Sequence, residues 1–423
     1  MKASVRFDHE LLAVEREHDV ACMLELVAPP APTQAARTPL ALALVIDRSG
    51  SMHGEKLAVT KLCAGFLVQH LAAVDRLAII SFDDEVRLEA PLLEVGPNRA
   101  GLLAAIAGIV AGGQTNLSGG WLKGIETLAP IDDGSVARRV LLLTDGQANV
   151  GICADDQLGS MARASSADGI GTSTIGFGDG FSEDLLAAMA DGGRGGAYFA
   201  ETPDAAPEIF AQEFEDLVTL VAQNVSVEIR PAWEDVSLLS ILNDFPQIQV
   251  DGGVQVQLGD AYGDEHRRVV FQLHVPQLAT LGPAQIAEVL VRYVEVGEQV
   301  AMHTLHLPLV VNAVSSDDAA AAVPDAEVTE EVAVLLGARS QEEARKLADQ
   351  GDFDRARRLL LGAADELRTK AAGSPRADEL IAQADRFEAR STELEPESYV
   401  MMRKRMTFEN RAVRERKQRP PGR

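Results

Sequence analysis

The hydrophobic pattern of the 423-residue chain changes period twice, and that change limits the fold more than any other feature. Residues 3–8 and 19–28 alternate polar and apolar, with Val20, Cys22, Leu24 and Leu26 on one face. From Pro39 the alternation gives way to continuous apolar runs: PLALALVID (39–47), RLAIISF (76–82), RRVLLLTDG (138–146), IGTSTIGFG (170–178) and GAYFA (196–200). Strands covered on both faces read this way. Stretches of helical spacing lie between them, at 55–73 and roughly 98–109, 117–129, 155–168, 182–191 and 204–222. Strands alternating with helices predict an α/β fold with a doubly wound, mostly parallel sheet of Rossmann-like layout. After Gln223 the two-residue period returns in VSVEIR, VSLLSIL, IQVDGGVQVQLG, RRVVFQLHV, AEVLVRYVEV and MHTLHLPLVV, the pattern of antiparallel strands.

The expected organisation is an antiparallel β-sandwich from residues 1–38 and 223–312, with an α/β domain at 39–222 inserted into it. The Pro- and Ala-rich APPAPTQAARTP (28–39) leads into the insertion. Residues 313–326 read as a small-residue linker. Residues 327–402 read as a charge-rich helical segment, broken at AAGSPR (371–376). ARKLADQGDFDRARRLLLGAADEL places a Gly-Asp turn between two amphipathic helices, and with no second copy at a fixed period it predicts a plain helical hairpin.

The formal charge of −25 is unevenly spread. Residues 403–423 hold nine Arg or Lys and two Glu, a net +7, so the preceding residues carry −32. An acidic body disfavours nucleic acid as the main partner, and the basic tail, 403–423, is expected to be disordered. The three cysteines, Cys22, Cys63 and Cys153, are an odd number, widely spaced and in apolar settings. They predict reduced packing residues of a cytoplasmic protein. No apolar run approaches the ~20 residues a membrane helix needs, and MKASVRFDHELL has neither the apolar stretch nor the cleavage site of a signal peptide.

Chemistry concentrates where the first apolar run ends. In VIDRSGSM, Asp47, Ser49 and Ser51 present oxygens at alternate positions around Gly50. Hard cations take oxygen ligands, and a metal needs ligands from more than one segment. Open α/β sheets collect ligands at the carboxyl ends of their strands. LLLTDG puts Asp145 at such an end, and AGGQTNLSGG puts Thr115 in a Gly-rich loop before a helix. The candidate metal ligands are therefore Asp47, Ser49, Ser51, Thr115 and Asp145.

This set, in this order, resembles the von Willebrand factor type A domain (the VWA or I-domain fold) and its metal-ion-dependent adhesion site: D-x-S-x-S, a distant Thr and a distant Asp. The resemblance covers roughly residues 39–222. It implies a divalent cation, Mg²⁺ before Mn²⁺ or Ca²⁺. With a partner present, Ser49, Ser51 and Thr115 would bind the metal directly, while Asp47 and Asp145 act largely through water. It also implies that the last helix, near 204–222, shifts with the site. The function implied is an intracellular, metal-dependent protein-interaction module whose partner offers an Asp or Glu carboxylate. Bacterial relatives working beside ATPases or kinases make such a partner one expectation.

Blander readings account for less. DRSGSM begins like an EF-hand loop, but Met52 stands where the glycine and Ala58 where the bidentate glutamate would be needed. Helix capping by Ser49 and Ser51 leaves Thr115 and Asp145 unexplained. His303 and His306, three apart in a strand, face opposite sides. Asp83 and Asp84 read as solvated loop acids, His53 as exposed, and Trp121 as packing its helix. A solvated end is the default for the stretch before the tail; the sharper alternative is that Glu393, Glu395 or Glu397 occupies the metal site of a neighbouring molecule. As a rival class, an accessory subunit of an ATPase or chelatase-type enzyme is compatible with the sequence. An independent enzyme is not expected, because G-x-x-x-x-G-K-[ST], H-E-x-x-H, C-x-x-C and G-x-S-x-G are all absent.

Overall fold

The computed structural model describes residues 1–30, 38–131, 136–296, 301–395, 399–415 and 417–418. In chain order, β1 (Lys2–Phe7), β2 (Leu11–Ala13) and β3 (His18–Val27) come first. Then follow β4 (Leu40–Asp47), α1 (Glu55–His70), β5 (Arg76–Phe82), β6 (Val86–Glu94), α2 (Val95–Gly108), α3 (Leu117–Leu128) and β7 (Ala137–Thr144). Next are α4 (Asp155–Ala167), β8 (Ile170–Phe177), α5 (Glu183–Gly192), β9 (Arg194–Ala200) and α6 (Ala206–Val218). Seven strands come after: β10 (Leu220–Pro231), β11 (Ser237–Ile241), β12 (Gln247–Val250), β13 (Gly253–Tyr262), β14 (His266–Val275), β15 (Gly282–Glu295) and β16 (Ala301–Val314). Helices α7 (Ser316–Ala321), α8 (Ala326–Asp349), α9 (Phe353–Ala371), α10 (Ala377–Glu393) and α11 (Tyr399–Glu415) and strand β17 (Lys417–Gln418) complete the chain. It divides into two compact units, Ala31–Val221 with Val296–Val300, and Met1–Pro30 with Ala222–Glu295 and Ala301–Arg423.

The first unit is an α/β layer structure on one sheet, ordered β6-β5-β4-β7-β8-β9. All pairs are parallel except β5–β6. Every residue of β4 and β8 is buried, which is why these strands read as unbroken apolar runs. The chain leaves β4 for β5 on one side and later returns to β7 on the other, so the strand order reverses at β4. A crevice opens at the carboxyl ends of strands beside such a reversal. The antiparallel β6 is absent from the sequence reading. It carries Pro91 and, Ala90 apart, is exposed or half-buried, features tolerated at a sheet edge that mask a strand's pattern.

The second unit holds two sheets of mostly antiparallel strands, β1-β3-β14-β11 with β17 beside β14, and β12-β13-β10-β15-β16-β2. The pair β16–β2 is parallel. Both faces of β3 are covered. Ala21 and Met23 lie in one cluster with Val270, Leu242 and, from α8, Val328 and Leu335. Arg268 on β14 ties the same helix down through Glu327 and Glu331, the latter at 3.3 Å. His303 and His306 on β16 point apart, to Glu295 (2.8 Å) and Glu288 (3.0 Å) of β15.

Among the described residues, 326–395 and 399–415 hold four helices, α8 to α11. The expected disorder of 403–423 gives way to order over Tyr399–Glu415. Met402 and Met406, one turn apart, are buried with Ala344, Ala348, Ala356, Leu360 and Leu394. Its basic residues find acids as well: Arg403 meets Asp349 at 2.8 Å, and Arg414 meets Asp244 at 2.8 Å. The Pro-rich linker's residues 31–37, Glu397 and residues 419–423 lie outside the described residues. Among the described residues, no helix is long and apolar enough to cross a membrane.

Candidate metal centre

Asp47 is the last residue of β4 and is fully buried. The strand does not simply stop there. Arg48 N–H donates to Phe82 O of β5 (2.8 Å), extending the ladder one step, and Ser49 N–H turns back to Asp47 Oδ1 (2.7 Å). That Asx-type bond starts a tight turn over Gly50–Met52, which ends against the first turn of α1. Ser49 Oγ and Ser51 Oγ share a hydrogen bond of 3.1 Å, and Ser51 Oγ donates to Asp145 Oδ1 at 2.6 Å. Asp145 follows Thr144, the last residue of β7, and is also fully buried.

The 110–116 loop is stitched to both neighbours. Gly50 N–H donates to Gly113 O (3.1 Å), Gly112 N–H to Arg48 O (2.8 Å) and Asn116 N–H to Asp83 O (2.8 Å). Gly113 has φ +67°, and a Cβ there would collide with the Asp83 and Asp84 side chains, so only glycine fits. Thr115, 4 % exposed, donates its N–H to Asn149 Oδ1 (2.9 Å), and its carbonyl accepts from Asn149 N–H (3.2 Å). A methyl group on Gly146 would stand 3.0 Å from Thr115 Oγ1 and 3.5 Å from Ser51 Oγ. The structure thus brings all five sequence-derived residues to one place, where three loops meet at the strand-order reversal.

Three further residues hold this arrangement. Thr144 Oγ1 donates to Asp47 Oδ2 at 2.5 Å. Lys56, in the first turn of α1, sets its ammonium 2.5 Å from Asp145 Oδ2. Asn149 positions Thr115. Their signals were present as the hydroxyl before Asp145 in LLLTDG, the lysine of GEKL and the amide of QANVG, but single polar residues of this kind carry no period. Asp83 departs from the expected solvated loop acid: it is 5 % exposed and pairs with buried Arg48 at 2.7 Å. Asp84 and His53 are exposed. Trp121 packs as expected, 1 % exposed with Nε1 donating to Thr172 Oγ1 (3.1 Å). Cys22 and Cys63 are buried, whereas Cys153 is exposed.

Burial pushes the Asp47 carboxyl up to about 6, against hydrogen bonds from Ser49 and Thr144 that lower it, with the nearby Asp145 raising it further. Two buried carboxylates facing one partly exposed ammonium leave negative charge that a cation offsets. The donors are all oxygen, two carboxylates and three hydroxyls, which suits a hard divalent cation. Among the described residues no group of three or more His, Cys, Asp or Glu offers an alternative metal site.

Comparison with known proteins agrees with the fold of the first unit. The family model for the von Willebrand factor type A domain matches residues 41–212. An uncharacterized protein of Synechocystis sp. (sll0103) is 29 % identical over 80 % of this chain and 81 % of its own length. The uncharacterized protein YfbK of Escherichia coli is 29 % identical over 55 % of this chain, which spans only 41 % of YfbK. The solved structure of a von Willebrand factor type A protein from Catenulispora acidiphila covers 99 % of this chain and 97 % of its own, with a TM-score of 0.71 at 18 % identity. Domains of this type typically bind a divalent cation. Residues 41–212 of the chain match the von Willebrand factor type A domain.

Proposed function

We propose that the chain is a cytoplasmic, metal-dependent protein-interaction module without catalytic activity of its own, and that Asp47, Ser49, Ser51, Thr115 and Asp145 hold its divalent cation, Mg²⁺ first among candidates. The observation that carries this reading is the convergence of two buried carboxylates and three hydroxyls from three separate loops. Neutral hydroxyls quench little of a cation's charge. A cation held there supplies an electrophilic position for a partner's Asp or Glu carboxylate. Ser49 Oγ and Ser51 Oγ lie 3.1 Å apart beside Asp145, and Thr115 Oγ1 lies beside Gly146. Asp47 and Asp145 each have both carboxylate oxygens engaged, by Ser49 N–H and Thr144 and by Ser51 and Lys56. That engagement favours contact with a cation through water rather than direct ligation.

The test is an affinity pull-down from native lysate with wild type and Asp145→Ala, each with Mg²⁺ and with chelator. A protein retained only by wild type with Mg²⁺ supports the reading and identifies the partner. An ATPase or kinase retained in that way would place the chain as an accessory subunit. Identical retention in all four samples would refute metal-dependent binding.

A further inference from the structure

Lys56 stands in the metal centre without belonging to its set of oxygens. Its ammonium is 2.5 Å from Asp145 Oδ2, and its side chain is 31 % exposed while that of Asp145 is fully buried. Gly178, at the end of β8, backs it: a Cβ there would lie 3.6 Å from both Cε and Nζ of Lys56. The nearby Arg48 guanidinium is committed to Asp83. Ser51 Oγ holds the other oxygen of Asp145. The centre therefore combines two carboxylates with one ammonium, ion-paired to Asp145 on a partly exposed side chain.

We propose that Lys56 is a built-in counter-charge that weakens divalent-cation binding at this centre and strengthens the capture of an incoming carboxylate. The inference rests on the metal-dependent reading above and concerns how that site is regulated. The charge count carries it. Asp47, Asp145 and Lys56 together bear one negative charge. A divalent cation turns this into one positive charge, and one carboxylate from a partner then brings the whole to neutrality. Without the ammonium, two carboxylates and the cation are already neutral, and an added carboxylate leaves an excess negative charge in a buried place, which is unfavourable. Coulomb forces over a few ångströms in a partly buried site are large enough to decide the order of affinities. Lys56 thus trades affinity for the cation against affinity for the partner's acid.

The experiment uses the full chain and two probes, Mn²⁺ and acetate. Mn²⁺ affinity is read from the electron paramagnetic resonance of free Mn²⁺ for wild type, Lys56→Met and Lys56→Arg. Acetate is then titrated into each Mn²⁺-loaded protein while water-proton relaxation is followed. Lys56→Met is expected to bind Mn²⁺ about tenfold or more tightly and to take up acetate several-fold more weakly, with Lys56→Arg close to wild type. Thermal melting with and without Mn²⁺ accompanies each variant, and the Mn²⁺-induced rise should be largest for Lys56→Met. Equal or weaker Mn²⁺ binding by Lys56→Met, or unchanged acetate uptake, would overturn the role of Lys56 while leaving the metal site intact. Absence of Mn²⁺ binding by wild type would instead overturn the metal-dependent reading, and this inference with it.

Discussion

Replacing Thr144 by valine removes one hydroxyl and nearly keeps the side chain's shape. In the protein that hydroxyl donates to Asp47 Oδ2 at 2.5 Å, with both residues fully buried. It also accepts from Gly146 N–H at 3.2 Å. A hydrogen bond to a charged acceptor is worth about 1.5–3 kcal/mol and a neutral one about 0.5–1.5 kcal/mol, because the abandoned partner stays buried. The extra methyl group returns about 0.8 kcal/mol. The net loss is about 1–4 kcal/mol. For a unit of this size each kcal/mol moves the melting temperature by roughly 2–4 °C, so calorimetry should show the α/β transition falling by about 2–16 °C. Thr144→Ser keeps the hydroxyl and should recover most of that. A melting temperature for Thr144→Val within about 1 °C of wild type would refute the claim that this bond anchors Asp47. So would a serine variant as unstable as the valine.

Gly146→Ala places a methyl 3.0 Å from Thr115 Oγ1 and so moves that oxygen by a few tenths of an ångström; Mn²⁺ affinity is expected to fall roughly tenfold with little change in melting temperature, and unchanged affinity would remove Thr115 from the ligand set. Glu228 on β10, 3 % exposed, is pushed up by burial but more strongly down by its bonds to Arg292 and Arg230, so its carboxyl titrates below the ordinary glutamate value. A depressed acid adds stability above its unfolded value of about 4.3 and loses it as pH falls through the lower folded one. Glu228→Gln should therefore cost about 1–3 kcal/mol at neutral pH, with the gap to wild type closing in acid; a gap independent of pH in denaturant titrations would contradict this.

Much of the α/β unit was legible because burial on both faces writes itself as unbroken apolar runs, as in β4 and β7. The oxygens of the centre were legible because they sit in short segments at the ends of those runs. Most of what escaped depends on a partner distant in sequence. Asp83 looks like a loop acid until Arg48 is seen beside it. The second face of β3, with Ala21 and Met23, gives no sign that α8 will cover it. Helix α11 looks like a solvated basic tail because its arginines outnumber its apolar anchors, Met402 and Met406, and its acids lie elsewhere in the chain. Strand β6 hid behind Pro91, which an edge position tolerates.

The interruption of the β-unit between β3 and β14 also sets a timetable. Glu25 and Arg268, joined across these strands, are 243 residues apart in sequence. At the ~5–20 residues per second of synthesis, roughly 10–50 s separate the emergence of β3 from that of its partner. Over that interval β1 and β3 wait with Val20, Cys22, Leu24 and Leu26 uncovered, a strand edge open to wrong pairing. The whole α/β segment leaves the ribosome meanwhile, and its own strands need nothing from outside it to form their sheet. Slow closure of such a long loop makes the waiting hairpin the stage at which a nascent chain most needs a chaperone.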